Sequence, residues 1–198
     1  MTLITIGEII DVIIMTLGVG FIFSDTFRRP PEEDYDPLTY TYGRFNWDNI
    51  RFAIIITAPA VIMHEVFHKI VALYFGMDAT FHAAYFWLVL GLVLKLVNFG
   101  FIFFVPGYVE IGCSTATCIT TPLKSAAIAF AGPFLNVVLW LGSWALLRSK
   151  AKFTKNRRNF SILHLTKNIN MFLFIFNMIP LPIFDGYKVF EGLIRAFF

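Results

Sequence analysis

His64-Glu65-Val66-Phe67-His68 places three ionisable side chains within five residues. On a helix, histidines at i and i+4 sit one turn apart on one face, where both imidazoles can reach a single zinc ion. Glu65 then lies beside a metal-bound water, in position to act as a general base. The flanking sequence argues against a chance match. Following Arg51, Phe52 to Phe75 forms an apolar stretch of about 24 residues, enough to cross a bilayer as a helix. Each ionisable group costs about 2.5–3.5 kcal/mol at the centre of such a helix, so an unused HExxH would be a heavy burden. Lys69, one residue further round, reads as a side chain that snorkels toward the interface.

A catalytic zinc takes three protein ligands and leaves a fourth position for water, so one zinc per chain needs a third ligand from elsewhere. Glu8, Asp11, Glu110, Asp185 and Glu191 are the carboxylates in or near apolar segments. Asp185 stands out because Pro180 and Pro182 break the helix just before it. Irregular backbone at membrane depth is tolerated only where protein or a water-filled cavity covers it. The plain alternative is that Asp185-Gly186 is a surface turn. His82 and His164, at the ends of apolar runs, read as ordinary interfacial histidines. Glu191 reads as part of a short terminal helix, and Asn136 as a residue that bonds one helix to its neighbour, with a contact to the site as the lesser option.

The elements that must position these residues follow from composition. The chain has 198 residues, 58% hydrophobic and only 15% charged, with a mean hydropathy of +0.71. Soluble domains are nearer one quarter charged, so the expectation is an all-α, multi-pass integral membrane protein in contact with the bilayer. Apolar runs at 3–23, 52–75, 83–105, 126–147 and 169–184 predict about five to six hydrophobic segments in a single domain over 1–198, with its core at 50–75 and 124–190. The first run carries Glu8 and Asp11 and lacks a cleavage site, which predicts an uncleaved helix. Between the runs lie an extended, proline-containing loop at 24–49 and a basic loop at 148–168. That basic loop supplies most of the net charge of +3 and reads as a topology signal or lipid-headgroup contact, not a nucleic-acid surface. Cys113 and Cys118, five apart, lack CxxC spacing and read as incidental small residues.

Three stretches in order, HEVFH at 64–68, Ala131-Gly-Pro-Phe-Leu-Asn136 and Asn177-Met-Ile-Pro-Leu-Pro-Ile-Phe-Asp-Gly186, resemble the signatures of the site-2 proteases, which are intramembrane zinc metalloproteases. The resemblance covers about 50–75 and 124–190. It implies that His64, His68 and Asp185 ligate zinc, that Glu65 is the general base, and that Asn177 engages the backbone of a membrane-protein or peptide substrate. Phe184 stands where the family has leucine and Met178 where proline is frequent; neither is a ligand position. The chain departs from the family in having no inserted globular domain and in a long apolar insert at His82–Gly112.

Depth gives an independent test. At about 1.5 Å per residue, His64 and His68 lie roughly 20 and 26 Å in from Arg51, and Asp185 roughly 27 Å from Lys167. These depths coincide only if both helices enter from one side, which requires an odd number of crossings between them. The 126–147 helix supplies one, so the insert at 83–105 should cross twice or not at all. A re-entrant hairpin divided at Asn98-Phe99-Gly100 satisfies this, with a single spanning helix as the simpler hydropathy reading; Val105–Ile111 is a candidate strand to pair with substrate, a packed loop being the equal alternative. Sidedness is contested: the family resemblance puts the 148–168 loop outside, whereas its seven basic residues favour the cytosol. Two rival functions remain, a membrane zincin with Glu110 or Glu191 as third ligand and a non-proteolytic metal-binding transporter, because intramembrane His and Asp also mark ion pathways.

Overall fold

Side-chain caps open most of the helices. Thr5 and Glu8 form a capping box ahead of α1 (Ile6–Phe23), Asn46 caps α2 (Trp47–Tyr74), Thr121 precedes Pro122 at the start of α4 (Pro122–Arg148), and Asn156 caps α5 (Arg157–Asn177). In this computed structural model the described residues are 4–27, 46–99, 106–113, 120–149 and 152–198. The remaining elements are β1 (Asp78–Ala83), α3 (Tyr85–Leu96), β2 (Gly107–Gly112), a 3₁₀ turn at Lys152–Lys155 and α6 (Asp185–Phe197).

Among the described residues three helices, α1, α2 and α4, are long and apolar enough to cross a membrane and α3 is a shorter apolar helix, so the expected five to six hydrophobic segments are not confirmed. The expected run at 169–184 is the end of α5, whose first half is polar, followed by an irregular segment. Residues 157–168, expected as part of the basic loop, are helical, because Asn156 caps a turn that the arginines continue. Most of the expected 24–49 loop lies outside the described residues, and α2 begins within it at Trp47.

The insert after α2 makes the fold other than purely helical. β1 and β2 pair antiparallel from Asp78↔Gly112 to Ala83↔Gly107, so the chain that leaves at Ala83 returns beside it at Gly107. Between them α3 has 12 residues, about 18 Å, too short for a hydrocarbon core of about 30 Å. Asn98 follows α3 in the left-handed region, with φ 53°, at the dividing position foreseen from sequence.

α2 lies at the centre. Met15 and Val19 of α1 pack with Val61 of α2, Phe81 of β1 and Leu88 of α3, while Phe52, Ile56 and Ala60 pack on Ile169 of α5. Gly20 lets α1 approach α2 closely: a Cβ there would meet Ile54 Cγ1 at 2.1 Å. A polar clamp joins the same elements. Lys69 does not snorkel; it is buried and donates to Glu8, which also accepts from the Phe81 amide at 2.8 Å and the Thr5 amide at 2.7 Å. Glu8 comes from another helix, so the partner that holds Lys69 inward was invisible to a reading of α2 alone.

Cys113 is likewise not incidental. It is disulfide-bonded, and the other cysteine of the chain, Cys118, lies outside the described residues. The CxxC rule concerns redox and metal motifs, and a structural disulfide does not require that spacing.

Candidate metal centre

Pro59 interrupts the hydrogen-bond ladder of α2 one turn before His64. Beyond it His64, Glu65 and His68 are buried, the imidazoles facing α4 and the first residue of α6. α4 presents Gly132 to them. A Cβ at that position would lie 2.4 Å from His68 Nε2 and 2.6 Å from His64 Nε2, so only glycine leaves the space in front of both ring nitrogens open. Asp185 does not continue α5, as a straight extrapolation from Lys167 assumed. Residues 178–184 turn back, and Asp185 opens α6. Gly186 makes this reversal fit, because a Cβ there would sit 2.5 Å from the Met178 carbonyl oxygen.

The result is a triangle of three donor atoms. His64 Nε2 lies 3.1 Å and His68 Nε2 3.2 Å from Asp185 Oδ2, and the two nitrogens are 3.1 Å apart. The protons on these rings are fixed from outside the triangle. Thr166 offers a backbone carbonyl, which can only accept, so the amide nitrogen of Asn170 faces it at 2.8 Å. Asn170 Oδ1 must then accept from Asn136 Nδ2, also at 2.8 Å, which turns Asn136 Oδ1 toward His64 Nδ1 at 2.5 Å. His64 Nδ1 is therefore the donor. His68 Nδ1 donates to the Ile128 carbonyl at 2.7 Å, and its tautomer is the same. Both Nε2 atoms thus turn bare lone pairs toward a carboxylate oxygen, an arrangement that repels itself unless a cation lies between.

Zinc fits this set. Zn–N and Zn–O bonds of about 2.0 Å at tetrahedral angles put ligand atoms about 3.3 Å apart, close to the observed spacing. Among the described residues His64, His68 and Asp185 are the one group of His, Cys, Asp or Glu side chains arranged to hold a metal ion.

The other expected candidates are engaged elsewhere. Glu8 serves the clamp, and Asp11 accepts from the Tyr85 hydroxyl and lies 3.6 Å from His82. Glu110 is 3.3 Å from the other ring nitrogen of His82, and Glu191 pairs with Arg195 at 2.8 Å. His164 stacks on Phe160. Asn136 fills both roles weighed for it, bonding α4 to α5 and contacting the site.

A cavity of about 580 Å³ opens onto the triangle, lined by Glu65 together with residues of α1, α5, α6 and β2. Asn177, at the end of α5, is part of its wall. So are Asn168 and Lys188, which the sequence reading passed over. The spacing of Lys188 one turn beyond Asp185 was the available signal.

A protein of Methanocaldococcus jannaschii named as a putative zinc metalloprotease is 35% identical to this chain over 182 residues, which is 92% of this chain and 82% of the relative. The chain belongs to this zinc metalloprotease family. Its cofactor is zinc, in agreement with the donor triangle. No protein-family profile matches the chain, and no solved structure matches it. In this metalloprotease the HExxH helix is also one of the helices long and apolar enough to cross a membrane.

Proposed function

We propose that this metalloprotease is of the intramembrane, site-2 type and hydrolyses peptide bonds in or near membrane-spanning segments of its substrates. The observation that carries the reading is the position of the donor triangle: it is buried between apolar helices α2 and α4 and opens to a cavity lined mainly by apolar side chains. In this reading His64, His68 and Asp185 hold the zinc. When bound, zinc lowers the pKa of water toward 7 and polarises a carbonyl. Glu65, on the same helical turn as His64, takes the proton from the attacking water and returns it to the leaving amine.

A helical substrate hides its carbonyls in its own hydrogen bonds, so it must be locally extended to be cut. β2 supports such a conformation. Gly107 to Val109 and Ile111 line the cavity, and among the described residues β1 occupies only one of the strand's two edges. An extended peptide can add to the other edge through main-chain hydrogen bonds. Asn177, also in the cavity wall, can hold a substrate carbonyl.

The decisive experiment compares zinc content and cleavage of a single-span substrate in purified protein. Glu65→Gln should keep about one zinc per chain and lose cleavage. If Glu65→Gln cleaves normally, or if the wild type cleaves no membrane-spanning peptide and instead moves metal across vesicles, the reading fails.

A further inference from the structure

Lysines in the apolar helices of this protein are mostly accounted for. Lys69 is paired with Glu8. Lys95 donates to the Phe21 carbonyl and to Ser24 Oγ, and lies 3.3 Å from Asp25. Lys167 on α5 and Lys188 make neither a hydrogen bond nor an ion pair among the described residues, and of the two it is Lys188 that lines the cavity containing Glu65 and Asp185.

Its placement is set by α6. Lys188 follows Asp185 by three residues, which puts their Cβ atoms about 5–6 Å apart on one face. Helical side chains lean toward the N-terminus of their helix, so the lysine stem is directed over the Asp185 turn. Asp185 meets both histidines through Oδ2, and among the described residues no ion pair joins Lys188 to this carboxylate. The walls nearby are apolar, among them Phe172, Phe176, Ile183 and Phe184. Lys188 is itself exposed and lines this cavity, so its ammonium is placed to meet a group that enters. The formal charges of zinc, Asp185 and Glu65 cancel, so Lys188 leaves one positive charge in the chamber.

We propose that Lys188 is a specificity residue: it receives a carboxylate of the substrate, an aspartate or glutamate side chain within about three residues of the scissile bond. That distance follows from the reach of a lysine and a rise of about 3.3 Å per residue in an extended peptide. The inference rests on the reading of this cavity as the substrate site. It makes the preferred substrate an apolar segment interrupted by one acidic residue.

The test measures binding separately from cleavage. The zinc-loaded Glu65→Gln protein in micelles is titrated with fluorescent apolar 20-residue peptides that carry a single Glu, or Gln as its isostere, at each central position in turn. Glu should bind about 10-fold tighter than Gln at one or two adjacent positions, the scale of a charge-assisted hydrogen bond. Adding Lys188→Met should remove that advantage, Lys188→Arg should keep most of it, and Lys188→Glu should transfer the preference to a Lys-bearing peptide. Unchanged zinc content shows that each variant is folded at the site. Equal binding of Glu and Gln peptides at every position, or an advantage that survives Lys188→Met, overturns the proposal. Cleavage of the same peptides by the wild type is scored in parallel. A Glu preference without cleavage sinks the proteolytic reading alone, whereas cleavage without a preference sinks this one alone.

Discussion

Asn136 Oδ1 lies 2.5 Å from His64 Nδ1, and both side chains are shut off from solvent, Asn136 at 0% and His64 at 5% exposure. Behind them Asn170, also 0% exposed, orients the Asn136 amide and is itself oriented by the Thr166 carbonyl. A backbone group on α5 thereby dictates which nitrogen of His64 is free to bind metal. Such outer partners of metal-binding histidines typically contribute 10- to 100-fold in metal affinity.

Asn136→Ala should therefore lower zinc affinity about 10- to 100-fold in a competition with a chelator. Asn136→Asp keeps the acceptor for His64 but loses the donor to Asn170, and should fall between Ala and wild type. Asn170→Leu leaves the Asn136 amide without its acceptor, at a cost of about 1–3 kcal/mol in stability, with a smaller effect on zinc. Wild-type zinc affinity in Asn136→Ala would show that the tautomer is held by something else.

Gly132 predicts a steric loss of metal. In Gly132→Ala the new methyl would sit 2.4 Å from His68 Nε2 and 2.6 Å from His64 Nε2, within the space that zinc needs. Zinc content by mass spectrometry should drop to near zero while the protein remains folded. Gly142→Ala, further along α4 with nothing within 4 Å of the added carbon, is the control and should keep its metal.

The third ligand can be settled by single substitutions. Asp185→Ala should lose bound zinc, since its Oδ2 alone meets both imidazoles. Glu110→Gln and Glu191→Gln should retain it, because those carboxylates pair with His82 and Arg195 instead. Full zinc stoichiometry in Asp185→Ala would remove Asp185 from the site and reopen the choice of ligand.

Local chemistry was legible in the sequence, and contact between distant segments was not. HExxH announces itself because its geometry is set within one helical turn. Asp185 could be singled out because prolines must break the helix just before it, although its depth was reckoned along a helix that ends at Asn177. The return of the insert through β1 and β2 followed from the need to bring His64, His68 and Asp185 together, which needs only chain continuity. Lys69 and Asn136 are different. Each looks ordinary in its own helix, and its role depends on one partner atom 61 or 34 residues away, Glu8 Oε1 or Asn170 Oδ1. No periodicity or spacing encodes such a pairing. Lys188 was passed over because a lysine near a helix start reads as surface; it is exposed, and only the meeting of distant segments shows that it also lines the cavity.

The Glu8–Lys69 clamp tests how the HExxH helix is held. Glu8 Oε1 accepts from Lys69 and from the Phe81 amide, so one carboxylate ties α1, α2 and β1 together directly beyond His68. Removing one member of a buried pair leaves an uncompensated charge and typically costs about 3–5 kcal/mol. Glu8→Gln and Lys69→Met should each lower the unfolding temperature markedly, with Lys69→Met leaving Glu8 its bonds to Phe81 and Thr5 and therefore being the milder change. The double variant Glu8→Gln/Lys69→Met should recover part of the loss, because no isolated charge remains. In that case thermal unfolding would give a coupling energy well above the few tenths of a kcal/mol that independent sites show. Strictly additive effects would mean that the two side chains stabilise the fold separately and that the clamp does not act as a unit.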